Sequence, residues 1–255
     1  MSDSTTLSRG DYDALIFDLD GVITDTAQTH RKAWKEVFDQ VLEEHLGADY
    51  RPFDVDDYRR YVDGKPRFEG VRSFLSSRNL HLPEGEIGEG PDLETVYGIG
   101  MEKNERYQER IAEGQLSVFD DALELLEAAE QARFGLGLVS SSRNAGLILE
   151  ILGLSDRFGA RVDGQTLAEE NLAGKPAPDM FVEASRRLGV EPRRAVVIED
   201  AESGVRAGRA GGFGLVIGLG RGGEEECRIL REHGADLALT SLAPLKVVDE
   251  EGKYG

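Results

Sequence analysis

The stretch Ala14-Leu15-Ile16-Phe17-Asp18-Leu19-Asp20-Gly21-Val22 decides the fold. Its first four residues are apolar without interruption, and the run ends on a carboxylate. A continuous run of this length suits a strand buried on both faces, as in a parallel sheet. Three later runs share the pattern: Leu136-Gly137-Leu138-Val139, Ala195-Val196-Val197-Ile198 and Gly214-Leu215-Val216-Ile217. Helix-like stretches follow them at Asn144 to Leu152, Ala201 to Ala210 and Glu224 to Glu232. Strands and helices alternating at this spacing predict an α/β fold with a doubly wound parallel sheet.

After the first strand the texture changes. Trp34, Val37, Phe38, Val41 and Leu42 recur at helical spacing, and Val71, Phe74 and Leu75 make a second apolar stripe. Leu82 to Gly100, dense in glycine, proline and glutamate, predicts a surface loop. The expected organisation is a Rossmann-like core over 1–26 and 115–255, with a helical cap domain over 27–114 inserted after the first strand.

Lysine and arginine number 30, aspartate and glutamate 49, a net charge of −19 over 255 residues. That sign argues against bulk electrostatic binding to nucleic acid or an anionic membrane. A small phosphorylated substrate stays open, because local cations or a metal reverse the potential inside a cleft. No apolar run approaches a membrane span, and Met1 to Gly10 is polar, unlike a secretory signal. Cys227 is the single cysteine, so no internal disulfide is possible. The expectation is a cytoplasmic monomer.

In open parallel sheets ligands gather at the carboxyl ends of the strands. Asp18 and Asp20, Ser140 to Asn144, and Glu199-Asp200 all sit at such ends. A bare D-x-D carries little weight, since Asp11-x-Asp13 and Asp54-x-Asp56 also occur. D-x-D-G is expected by chance about 0.2 times in such a chain, and fewer times directly after a buried strand. The residues alone leave a helix cap or turn open. The functional alternative makes Asp18 a nucleophile or metal ligand beside an acid or base, Asp20. Glu199-Asp200 completes an oxygen-rich magnesium site or merely opens a helix. Ser140, Ser142, Arg143 and Asn144 receive phosphate oxygens or cap a helix. Lys175, one of seven lysines, offsets phosphoryl charge or is a solvated loop residue. Gly218-Leu219-Gly220-Arg221-Gly222-Gly223 satisfies G-x-G-x-x-G, but it follows the last strong strand rather than the first. A dinucleotide site is rejected there.

D-x-D, serine, lysine and an acidic pair, in this order, resemble the haloacid dehalogenase superfamily. Asp18 to Ala27, with His30 and Trp34-Lys35, resembles the beta-phosphoglucomutase-like family within it. So do Ser140 to Asn144, Gly174-Lys175-Pro176-Ala177-Pro178-Asp179 and Ile198-Glu199-Asp200. Gly64-Lys65-Pro66-Arg67 resembles the cap loop whose arginine holds a second phosphate. The resemblance implies Asp18, Asp20, Ser140 and Lys175 as catalytic residues. It implies His30, Trp34, Gly64, Arg67, Ser142, Arg143 and Asn144 as substrate-binding residues. It implies Mg2+ held by Asp18, Asp20, Glu199 and Asp200. A cap lysine of the compact members is replaced near Glu109, and Phe68 to Gly100 is longer than in those members. The implied activity interconverts beta-D-glucose 1-phosphate and glucose 6-phosphate through an aspartyl phosphate and a bisphosphate. If water reaches the same site, the chain is instead a phosphatase of sugar phosphates or related small esters.

Overall fold

The structure is a computed structural model that describes residues 5–253, apart from residues 48, 63, 64, 89 and 115. It divides into two compact units, Thr26–Leu116 and the chain on either side of that segment.

The larger unit opens with β1 (Thr6–Ser8) and β2 (Ala14–Asp18). After the other unit it resumes with α5 (Asp120–Gln131), β3 (Gly135–Val139), α6 (Ala145–Ile151), β4 (Ala160–Val162), α7 (Gly164–Glu169) and α8 (Asp179–Leu188). It ends with β5 (Ala195–Glu199), α9 (Glu202–Ala210), β6 (Leu215–Leu219), α10 (Glu224–Glu232), β7 (Leu237–Leu239) and β8 (Lys246–Val248). Six strands form one parallel sheet in the order β4-β3-β2-β5-β6-β7, and β1 pairs with β8 apart from it. Every residue of β2 and β5 is buried, as a strand covered on both faces requires. Met180 and Phe181 of α8, Val205 of α9 and Leu230 of α10 join Ile16, Val197 and Val216 in one apolar core.

The chain leaves β2, adds β3 and β4 on one side, then crosses back to place β5 on the other. That reversal makes the ends of β2, β3 and β5 the switch point where a ligand crevice forms. Asp18 pairs with Val139, and Phe17 pairs with Ile198, so Asp18, Ser140 and Glu199 emerge at one level of the sheet.

The other unit contains α1 (Ala27–Leu46), α2 (Val55–Asp57) with a π-helical turn at Tyr58–Val62, α3 (Arg67–Ser77) and α4 (Val96–Ala112). Trp34, Val37, Phe38, Val41 and Leu42 are buried together with Val71, Phe74 and Leu75, as the periodicity predicts. Phe38 lies at the centre of its aromatic packing, with ring centroids 4.9 Å from Trp34, 4.1 Å from Phe74 and 5.1 Å from Phe53. The loop expected to reach Gly100 ends at Thr95. Its hydroxyl accepts from Gly98 N at 2.9 Å, while Asp92 accepts from Thr95 N at 2.8 Å. This cap starts α4 in spite of the two glycines in its first turns.

Truncating Phe38 empties the middle of this cluster. Phe38→Ala should cost about 3–5 kcal/mol in denaturant unfolding. A cost below about 1 kcal/mol would show that the cluster collapses into the gap.

Candidate active site

The larger unit brings two strand-end carboxylates onto one buried cation. Lys175 Nζ donates to Asp18 Oδ1 and to Glu199 Oε1. All three side chains are almost wholly buried. The other Glu199 oxygen accepts from Ala201 N at 2.7 Å, so both oxygens of that carboxylate are engaged. The carboxylate also occupies the space a side chain at position 204 would need. A Cβ on Gly204 would lie 1.8 Å from Glu199 Oε1. Phe181 places its ring centroid 5.1 Å from Lys175 Nζ.

Asp20 and Asp200 stand beside this triad. Gly21, at φ +86°, turns the chain after Asp20 and donates its N–H to Thr24 O at 2.7 Å. Asp200 lies against that turn, since a Cβ on Gly21 would meet its Oδ2 at 1.9 Å. Burial pushes the Asp18 carboxyl up. Lys175 pulls it down, Glu199 and Asp20 push it up again, and it comes to about 8. Burial alone would lower the Lys175 ammonium, but Asp18 and Glu199 outweigh that and hold it above its ordinary value. The ammonium thus faces two carboxylates, Asp20 adds negative charge beside Asp18, and such charge is what a hard cation offsets.

Ser140 is buried at the end of β3. Its hydroxyl oxygen accepts from Ser142 N at 3.1 Å, and Ser142 Oγ accepts from Asn144 N at 3.1 Å. The two hydroxyls therefore fasten the turn into α6, and each keeps an O–H to donate. Arg143 is exposed and Asn144 buried in the same turn.

The helical unit holds a second, separate group. Lys103 is 4% exposed, with Nζ 2.6 Å from His30 Nδ1. A lysine ammonium only donates, which assigns Nδ1 as the acceptor of a neutral imidazole. Burial holds His30 well below its ordinary value, and Lys103 and Arg67 lower it further. His30 stacks on Tyr107 at 3.9 Å, and Lys103 Nζ lies 4.4 Å from the Tyr107 ring and 5.2 Å from the Trp34 ring. Arg67 Nη2 donates to Asn104 Oδ1 at 2.7 Å. Gly64 lies outside the described residues.

Lys103 is the residue that the sequence reading passes over. Glu109, near which the resemblance has a cap lysine replaced, is exposed and lines a groove with Glu36, Arg106 and Arg110. The signal was present: Ile99, Lys103, Tyr107 and Ile111 follow one another every four residues, and all are buried. A lysine inside such a stripe is held there by its partners.

The family model for haloacid dehalogenase-like hydrolases matches residues 12–212. This chain belongs to that family. Over 237 residues it is 49% identical to a beta-phosphoglucomutase of Mycobacterium bovis, covering 91% of this chain and 90% of that protein. Among solved structures, a beta-phosphoglucomutase from Clostridium difficile is 28% identical with a TM-score of 0.70, over 91% of this chain and 92% of that one. A variant of CbbY from Rhodobacter sphaeroides, in complex with xylulose-(1,5)bisphosphate, is 26% identical with a TM-score of 0.68, over 91% and 95% of the two chains. The affinity is to the beta-phosphoglucomutase-like branch of the family. No helix among the described residues is long and apolar enough to cross a membrane.

Removing the ammonium strands two buried carboxylates. Lys175→Met should cost about 3–5 kcal/mol at pH 9, the usual cost of breaking a buried pair. Asp18 comes to about 8 with Lys175 beside it and lies higher without it, so the Asp18 part of that deficit should shrink as pH falls from 9 towards 6. Unfolding free energies of both proteins at pH 6 and pH 9 check this. A deficit that grows on acidification contradicts the charge arrangement.

Proposed function

We propose that this chain is a magnesium-dependent phosphosugar mutase that interconverts beta-D-glucose 1-phosphate and glucose 6-phosphate. The observation that carries this reading is that each unit buries a cation of its own, Lys175 in one and Lys103 in the other, where the half-buried Arg67 is tied to Asn104. A bisphosphate intermediate has two anionic ends, and a simple phosphatase substrate has one. The 49% identity to a beta-phosphoglucomutase over nine-tenths of the chain supports the same assignment.

The residues act as follows. An Asp18 oxygen attacks phosphorus, an O–P bond forms on the carboxylate, and the bond to the sugar oxygen breaks. Asp20 gives its proton to the departing oxygen, then takes one from the hydroxyl that receives the phosphoryl group. Lys175 offsets the charge of the phosphoryl oxygens and keeps Asp18 aimed, and Glu199 anchors Lys175. Ser140 and Ser142 donate hydroxyl hydrogens to phosphate oxygens, with Asn144 and Arg143 beside them. Arg67 and Lys103 grip the far phosphate, and neutral His30 orients Lys103. Trp34 supports Lys103 from the core of its unit.

The donor set around Asp18 is all oxygen and carries surplus negative charge, which suits Mg2+. Among the described residues no three acidic, histidine or cysteine side chains gather tightly enough to cage an ion unaided. Mg2+ does not require a cage, because it binds one or two carboxylates and fills its shell with water and phosphate oxygens. Asp18, the backbone carbonyl of Asp20, and Asp200 would hold it, without the expected share from Glu199, whose two oxygens are taken by Lys175 and Ala201 N. When bound, it neutralises charge on the phosphoryl oxygens.

Beta-glucose 1-phosphate, with Mg2+ and a trace of the bisphosphate, should give glucose 6-phosphate faster than free phosphate. Release of phosphate as the main product would make the chain a phosphatase. Asp18→Asn should lose more than about 100-fold in turnover, the span of a lost nucleophile, while staying folded at the assay temperature. Excess chelator should likewise remove activity without unfolding.

The far grip has its own test. Arg67→Ala gives up a charge-assisted contact of roughly 1.5–3 kcal/mol, or about 10- to 150-fold in isomerisation. Hydrolysis of a small ester with no second phosphate should stay within about threefold, because Arg67 makes no contact with it. Equal losses on both would reduce Arg67 to a structural link between α3 and α4.

A further inference from the structure

The glycine-rich turn Gly218 to Gly223 binds no dinucleotide in the reading above, yet it carries an arginine in a demanding position. The turn is set by its own backbone. Gly220 N donates to Leu239 O at 2.8 Å, and Gly223 N donates to Gly220 O at 3.0 Å. Between them Arg221 reaches across to the turn that follows Asp20. Its Nε donates to Gly21 O at 3.0 Å and its Nη2 to Val22 O at 3.0 Å. The same guanidinium donates to both oxygens of Asp121, at 2.9 and 3.1 Å, and lies 3.6 Å from the Phe119 ring centroid. Asp121 is itself fixed, accepting from Ser241 Oγ at 2.7 Å and Leu242 N at 2.8 Å. Burial raises the Asp121 carboxyl, but the hydrogen bonds from Arg221, Ser241 and Leu242 outweigh it and keep it ionised.

The two carbonyls so held belong to the residues directly after Asp20. Gly21 has φ +86°, a conformation with no side chain to lock it, and Asp200 fills the space beside it. This turn is held by the Gly21 N–H donating to Thr24 O, by Ile23 N and Thr24 N donating to Leu19 O, and by the Arg221 clamp. A planar fork that spans two successive carbonyls and a carboxylate is a task lysine cannot perform fully.

We propose that Arg221 is a positioning residue for Asp20, clamping the Gly21 and Val22 carbonyls so that the Asp20 carboxyl meets the departing oxygen. The proposal rests on the acid–base role given to Asp20 above. The clamp acts on the proton transfer and leaves the attack by Asp18 untouched.

The test compares two phosphate esters under single-turnover conditions, reading release of the leaving group. Beta-glucose 1-phosphate needs its departing oxygen protonated, whereas p-nitrophenyl phosphate releases a stable anion. Arg221→Ala should slow sugar release about 100-fold, as a misplacement of about 1 Å does, and nitrophenol release less than about threefold. KM for both should stay within about threefold, since no substrate contact is removed. Arg221→Lys, which keeps the charge but has a single donor nitrogen in place of the fork, should show the same selectivity at about a tenth of the loss and serves if the alanine variant does not fold. Equal losses on the two esters, or none, while Asp20→Asn remains selective, would overturn the clamp and leave the Asp20 role standing. If Asp20→Asn treats both esters alike, the Asp20 role fails and the clamp falls with it.

Discussion

The ammonium of Lys175, buried between Asp18 and Glu199, is the interaction on which the sheet edge depends. Two strands deliver carboxylates to one dry crevice, where like charges cannot both stay ionised without a counter-charge. The lysine reaches them because α8, directly after its loop, is seated in the core by Met180 and Phe181. Glu199 is seated in turn by the N–H of Ala201 and by the missing side chain of Gly204. Apolar packing therefore sets the position of the charges, and the charges repay it only when all three groups are present.

This arrangement explains how a chain of net charge −19 can handle phosphate. Exposed carboxylates are screened within about 8 Å at physiological salt, so the surface excess hardly reaches a buried site. Two of the seven lysines are instead placed where water is excluded, Lys175 among carboxylates and Lys103 against His30, Tyr107 and Trp34. There the effective dielectric is low and one cation counts for more than several at the surface.

What the sequence made legible follows the same physics. Strands covered on both faces must be apolar throughout, so β2, β3, β5 and β6 stood out, and the polar residues directly after them marked the site. The three-residue strands β4 and β7 escaped notice because Ala-Arg-Val and Leu-Ala-Leu are too short to show a period. The start of α4 was hidden by Gly98 and Gly100, whose poor helix propensity is overridden by the Thr95 cap. Lys103 was hidden by acidic neighbours on the exposed side of its helix. Arg221 was hidden for a deeper reason: its partners at Gly21 and Val22 are backbone carbonyls, which every residue possesses and no sequence pattern can distinguish.

The two cationic centres are also built on separate supports. Lys175 depends on β2, β5 and α8, all packed in the sheet's core. Lys103 and His30 depend on α1 and α4, beside an aromatic cluster that includes Trp34, Phe38 and Phe74. Groups with no shared partners respond to substitution almost independently. A change in the aromatic cluster should therefore leave Asp18, Glu199 and Lys175 where they are.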